Sequence, residues 1–219
     1  MHLVCLDLEG VLIPEIWIAF AEATGISELR RTTRDEPDYD TLMRFRIELL
    51  GQRGLKLGDM KQVIGTMEPL EGAVEFIKAL KARTELIILS DTYKEFAQPL
   101  MAKLGYPTLF CNSLVTAPDG TITGYRLRQK DGKKQAVKAL KSLNVEIFAA
   151  GDSFNDLAMI HEADKGCLFR APPSIRAAYQ DIPCVDTYDA LLERILGFLG
   201  GAALVPISVL PPSLKPGES

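Results

Sequence analysis

Two acidic stretches, DLEG at residues 7–10 and GDSFND at 151–156, carry the carboxylates Asp7, Glu9, Asp152 and Asp156 on short polar segments that follow apolar runs. Two further polar clusters are spaced along the chain: Ser90-Asp91-Thr92, and the lysine-bearing run from Lys130 to Lys134. Carboxylates crowded together repel one another, and without a cation they hold their protons more tightly. A hard divalent cation resolves the conflict. Mg²⁺ prefers one or two carboxylates together with waters and phosphate oxygens. Carboxylates, a hydroxyl and a lysine around such a cation suit phosphoryl transfer, whose charged transition state needs positioning and neutralisation. An aspartate can itself attack phosphorus, so that an aspartyl phosphate divides one hard displacement into two easier ones.

For these residues to meet, the elements must place them on one edge. Five short apolar runs read as buried strands: HLVCLDL (2–8), ELIILS (85–90), TLFC (108–111), VEIFAAGD (145–152) and GCLFR (166–170). Helix-period segments at 71–83, 94–105 and 133–143 alternate with them, which predicts a doubly wound, Rossmann-like α/β core with a parallel sheet. Ligands of open parallel sheets bind beyond the carboxyl ends of the strands, where the polar clusters fall. Residues 14–68 hold only helical patterns and read as an inserted helical cap, leaving 1–13 and 69–200 as the core. The segment 113–128 has β-rich flanks around Asp119-Gly120, a hairpin signal. The Pro, Ser and Gly content of 201–219 predicts a disordered tail.

Composition narrows the partners. The chain has 219 residues, 47% hydrophobic, and a net charge of −4. It therefore lacks the broad basic field that nucleic acid or an anionic membrane would select. The apolar tail AALVPISVLPP is too short and too proline-broken to span a bilayer. Acidic residues arrive by Asp7, so no signal peptide is expected. Cys5, Cys111, Cys167 and Cys184 form no CxxC spacing and read as free thiols of a reducing cytoplasm. A monomer or homodimer is expected.

In order, DLEGV, ILSDT, a following lysine and GDSFND resemble the four motifs of the haloacid dehalogenase superfamily of phosphohydrolases. MEPLEGAVEFIKALK and LMRFRIELL are similar to segments of its phosphoserine phosphatase branch. PEIWIAFAE, TTRDEPDYD and RLRQKD resemble bacterial members that also transfer the phosphoryl group of phosphoserine to homoserine. The resemblance spans about residues 3–195. It implies Asp7 as nucleophile and Glu9 as proton donor and acceptor. It also implies Mg²⁺ on Asp7, Asp152 and the backbone carbonyl of Glu9, with Asp156 orienting a metal-bound water. Ser90 and Lys133 would contact the phosphoryl oxygens, with Lys134 as the alternative lysine, and Asp91 and Asn155 would stand beside the substrate. Glu15 would meet the substrate ammonium and Arg46 its carboxylate. Glu9 and Asp91 depart from the usual Asp and Gly of phosphoserine phosphatases, and those departures put hydrolysis as the sole activity in question.

Singly, each motif also reads as ordinary structure. Ser90-Asp91-Thr92 is a plausible helix N-cap, and GDSFND could be a turn and cap. His2 and His161 have no partners that would make them ligands. Trp17 and Phe20, at i, i+3 spacing, read as packing. Arg30, Arg31 and Arg34 read as a solvated cluster. Two rival functions use similar residues: a phosphatase of another small metabolite, and a non-enzymatic phospho-accepting receiver module. In the receiver, an acid pair follows the first strand and the acceptor Asp a central one, an order this chain lacks.

Overall fold

The first apolar run does not alternate, because both faces of its strand are covered. In the computed structural model, which describes residues 1–32, 35–36 and 38–200, β1 (His2–Leu6) lies between β2 (Glu85–Tyr93) and β5 (Glu146–Gly151). Leu3 and Cys5 pack on one face with Ile87, Leu89, Val137 and Ile147. Val4 and Leu6 pack on the other with Phe76, Ile88, Phe148 and Leu191. Successive side chains of a strand point to opposite faces, so a doubly covered strand must be apolar throughout.

The sheet has seven strands in the order β4-β3-β2-β1-β5-β6-β7, completed by β3 (Thr108–Thr116), β4 (Ile122–Arg126), β6 (Lys165–Phe169) and β7 (Cys184–Val185). All neighbours are parallel except β3 and β4, the expected hairpin, which pair antiparallel. Two-residue β7 was not among the five apolar runs; it pairs with β6 alone through Leu168–Cys184 and Phe169–Val185, too little for a hydrophobic pattern to register. Leu6 pairs with both Ile88 and Ala150, so the carboxyl ends of β1, β2 and β5 finish side by side.

The described residues of 14–68 contain α1 (Ile16–Thr24), α2 (Tyr39–Gln52) and α3 (Leu57–Thr66) and no strand. Asp38 caps α2 by accepting from the Thr41 N–H at 2.7 Å. The buried side chains of this stretch, among them Trp17, Phe20, Met43 and Ile64, share one continuous core with Val4 and Leu6 of the sheet. Helices α4 (Ala73–Lys81), α5 (Lys94–Met101), α6 (Gly132–Lys141), α7 (Leu157–Glu162), α8 (Pro173–Ala178) and α9 (Tyr188–Phe198) complete the layers. The segment expected as a helix to Gly105 forms α5 only to Met101; Ala102 keeps helical dihedrals and the Leu104 N–H still bonds to the Leu100 carbonyl, before the chain turns through Gly105 and Tyr106, both at positive φ.

All four cysteines are free thiols, Cys5 and Cys167 buried and the other two half-buried. Among the described residues, no helix is long and apolar enough to cross a membrane. Arg34 and the segment 201–219, read above as a solvated arginine and a disordered tail, lie outside the described residues.

Candidate active site

Asp7 continues β1 by one residue, its N–H bonding to the Ala150 carbonyl at 3.0 Å, and its side chain is buried. The chain then turns at Gly10, where φ is +76° and a Cβ would lie 2.6 Å from the Asp152 carboxylate. Only glycine satisfies both the left-handed backbone and that approach. Gly151 meets a similar limit, since a Cβ there would sit 2.2 Å from Asp156. Glu9 points away from these aspartates: its Oε2 accepts from the Ile16 N–H at 2.9 Å and caps α1, whose own N-cap residue Glu15 does not. Burial holds the Glu9 carboxyl above the usual range, although the Ile16 N–H and the neighbouring Thr92 and Glu15 side chains work to lower it.

The carboxylates of Asp7, Asp152 and Asp156 come together so that one oxygen of each lies within 4.8 Å of the others. Lys133 is buried among them, with Nζ 2.9 Å from Asp7 Oδ1 and 2.6 Å from Asp156 Oδ1. Burial works against its charge, but the carboxylates of Asp156, Asp7 and Asp91 outweigh that and raise its pKa. Burial and then Asp156 push Asp7 well up, with Lys133 opposing. Asp152 is pushed up to about 7, first by burial and then by Asp156 and Glu15. One ammonium does not balance this many acids. The donors are hard oxygens and their charges are under-compensated, which fits a hard divalent cation. Asp156 is otherwise engaged, because Oδ2 accepts from the Asp152 and Ser153 N–H groups and from Ser153 Oγ, each at 3.0 Å.

The end of β2 is bulged. Leu89 pairs with Phe110 of β3 and the next pair is Tyr93 with Asn112, so Ser90, Asp91 and Thr92 stand opposite Cys111 alone. A bulge bends a strand and re-aims its side chains. Asn112 takes up the slack: its Nδ2 donates to the Asp91 carbonyl at 2.9 Å and its Oδ1 accepts from the Arg128 N–H at 2.9 Å. One buried amide thus ties the bulge to the segment leading into α6 and Lys133. Ser90 Oγ accepts from the Thr92 N–H at 3.2 Å. The Asp91 carboxylate accepts from Asn155 Nδ2 at 2.9 Å and lies 3.7 Å from Lys133 Nζ. The N-cap alternative for this stretch is not realised, since the N-cap of α5 is Tyr93 and makes no side-chain cap bond.

The opposite wall comes from residues 14–68. Arg46 is buried, with its guanidinium 4.4 Å from the Trp17 ring centroid and Nη2 donating to the Arg31 carbonyl at 2.7 Å. Its Nε is buried without a hydrogen-bond partner among the described residues. Tyr39 and Tyr93 join across the gap through hydroxyls 2.7 Å apart. The cavity between the two walls is about 360 Å³ and opens to solvent. A larger hollow of about 530 Å³ between α2 and β4 lacks the aspartate cluster, so size does not mark the site.

Asp7, Glu9, Glu15, Arg46, Ser90, Asp91, Lys133, Asp152 and Asn155 all line this cavity, and Asp156 is buried beneath it. Lys133, not Lys134, faces it; Lys134 is exposed on the outer side of α6. Glu9 adds no carboxylate to the aspartate cluster, and Asp156 takes the third place. Trp17 packs as expected, and its ring also supports Arg46, which the i, i+3 spacing does not reveal. Arg31, read as solvated, stacks on Phe45 at 4.9 Å and lends its carbonyl to Arg46. Tyr39, Tyr93 and Asn112 were not anticipated, and Thr92 was read only as part of the Ser90–Thr92 cluster without a role of its own. The nearest sequence signal is the run of polar residues closing an apolar strand.

A family model described as haloacid dehalogenase-like hydrolase matches residues 1–164. A phosphoserine phosphatase of Pseudomonas syringae pv. tomato is 54% identical over 196 residues, covering 90% of this chain and 83% of that protein. The phosphoserine phosphatase ThrH of Pseudomonas aeruginosa is also 54% identical over 196 residues, covering 90% of this chain and 96% of its own length. Among solved structures, an apo phosphoserine phosphatase superposes with a TM-score of 0.71 at 23% identity, covering 90% of this chain and 98% of that one.

Proposed function

This chain belongs to the haloacid dehalogenase-like hydrolases, and from that premise we propose that it is a phosphoserine phosphatase working through an aspartyl phosphate on Asp7. One observation carries the choice of substrate. Arg46 lines a cavity whose floor holds Asp7 and Lys133, and its buried Nε has no hydrogen-bond partner among the described residues. A buried donor without a partner is costly, and a carboxylate on the substrate would satisfy it with a charge-assisted bond. Glu15, on the same wall, would take the ammonium.

In this reading Asp7 attacks phosphorus, forming a P–O bond to its carboxylate as the P–O bond to serine breaks. Glu9, its carboxyl raised by burial, carries a proton and gives it to the departing serine oxygen. Glu9 then takes a proton from water, which attacks phosphorus and frees Asp7. Lys133, Ser90 and Asn155 hold the phosphoryl oxygens. Asp7, Asp152 and the backbone carbonyl of Glu9 would hold Mg²⁺, while Asp156 orients the cluster through Lys133 and the 152–153 N–H groups. The ion would neutralise charge building on the phosphoryl group and keep Asp7 ionised. Residues 14–68 act as the cap that excludes bulk water. The same Glu15 and Arg46 contacts would admit homoserine after serine leaves, giving a phosphotransferase route.

Incubation with phosphoserine and MgCl₂, with phosphate release followed, tests the proposal. Release that needs Mg²⁺ and falls sharply for phosphoethanolamine, which has no carboxylate, is expected. Equal turnover of both esters would overturn the substrate assignment.

A further inference from the structure

The Asp91 side chain makes contacts the reaction above does not require. Its backbone is fixed, with the carbonyl accepting from Asn112 Nδ2 at 2.9 Å and from the Tyr39 hydroxyl at 3.4 Å. Its carboxylate is 44% exposed in the cavity mouth, bonded to Asn155 Nδ2 and 3.7 Å from Lys133 Nζ. Those are two of the donors that the phosphatase reading gives to the phosphoryl oxygens. An anion belonging to the chain therefore already holds one donor that phosphate must use, Asn155, and pairs electrostatically with the other, Lys133.

We infer that Asp91 is an internal competitor of phosphate, which reclaims Asn155 and Lys133 as free phosphate leaves and so hastens product release. The inference rests on the phosphatase reading. When phosphate enters, Asn155 exchanges one acceptor for another and the number of hydrogen bonds is kept. The Coulomb terms are not kept, because the displaced carboxylate remains nearby as a like charge. Phosphoserine meets the same repulsion but also engages Glu15 and Arg46. Free phosphate has neither an ammonium nor a carboxylate and gains nothing from that wall. Since the backbone of Asp91 is pinned, the exchange needs only rotation of an exposed side chain, on the picosecond to nanosecond scale, far faster than turnover.

A purely structural role has the opposite sign. If Asp91 served to hold Asn155 in place for phosphate, its removal would weaken phosphate binding. Asp91→Asn keeps an acceptor for Asn155 and removes the charge, and Asp91→Ala removes both. Binding of inorganic phosphate to each protein in MgCl₂ would be measured by titration calorimetry, and phosphate release by stopped flow with a fluorescent phosphate sensor. Both variants are expected to bind phosphate roughly tenfold more tightly, the effect of removing one partly screened like charge about 4 Å from a phosphate dianion, and to release it more slowly. Unchanged or weaker binding in both would overturn the inference. A wild-type protein that fails to turn over phosphoserine would instead overturn the phosphatase reading, and the calorimetric comparison would still decide the role of Asp91.

Discussion

Lys133 is the residue around which the site is electrically organised. A buried ammonium is tolerated only where carboxylates surround it, and Asp7 at 2.9 Å and Asp156 at 2.6 Å supply that. The same crowding leaves Asp152 short of a counter-charge, which has a measurable consequence. Burial, Asp156 and Glu15 push the Asp152 carboxyl up to about 7, from an ordinary value of 3.8. A folded-state pKa above the unfolded one means that the folded chain keeps a proton the unfolded chain gives up. The metal-free fold is therefore favoured most below about pH 4 with respect to this group, and loses that advantage as pH rises through about 7. A cation displaces the proton, so Mg²⁺ should raise Tm more at pH 8 than at pH 6. Thermal melts at both pH values check this, and equal shifts would mean that Asp152 does not share the ion. Asp7→Asn, for its part, should abolish steady-state turnover while phosphoserine still binds by calorimetry. Residual turnover, with deamidation excluded by mass spectrometry, would remove Asp7 from the role of nucleophile.

Secondary structure delivers these side chains with different degrees of legibility. The ends of β1 and β5 could be read directly, because a doubly covered strand is an unbroken apolar run and the first polar residue after it marks the sheet edge. Lys133 was legible to within one residue, since helix start points are set by backbone geometry that composition does not reveal. The bulge at Ser90–Thr92 was not legible. It depends on how β3 registers against β2, a pairing between segments about twenty residues apart, and so Asn112 and Tyr93 carried no local signal. Arg46 is a similar case, as its burial results from Trp17 on α1 meeting α2. Resemblance, not periodicity, pointed to it. Truncating one partner of a buried charged contact typically costs ~2–5 kcal/mol, so Arg46→Ala should lose that much in kcat/KM for phosphoserine and little for phosphoethanolamine. Equal losses on both would place Arg46 in the support of the fold, through its bond to the Arg31 carbonyl.

On the scale of the whole molecule, the helices of residues 14–68 and the sheet meet over the cavity through contacts that come from every side. The Glu9 carboxylate caps α1, Tyr39 meets Tyr93, and the β3–β4 hairpin reaches across with Lys56–Asp119 at 2.9 Å and Tyr125–Asp40 at 2.6 Å. Because Glu9 is anchored to the first turn of α1, the group proposed to move the proton is fixed relative to the wall that carries Glu15 and Arg46. An acceptor held by that wall would therefore present its hydroxyl to Glu9 at a set distance, whereas water enters unheld. Homoserine has the ammonium and carboxylate of serine and one more methylene before its hydroxyl, and the cavity of about 360 Å³ exceeds the space of a single amino acid. Added homoserine should divert phosphate from the shared aspartyl phosphate into O-phosphohomoserine, at the expense of free phosphate and without ATP. Arg46→Ala should suppress this diversion more than it suppresses hydrolysis of the phosphoenzyme, since water uses no contact on that wall. Separating the products by chromatography, with phosphate counted in parallel, tests both statements. If homoserine slowed phosphate release but yielded no phosphoester, it would bind only as a competitor, and the transferase route would fall while the phosphatase remained.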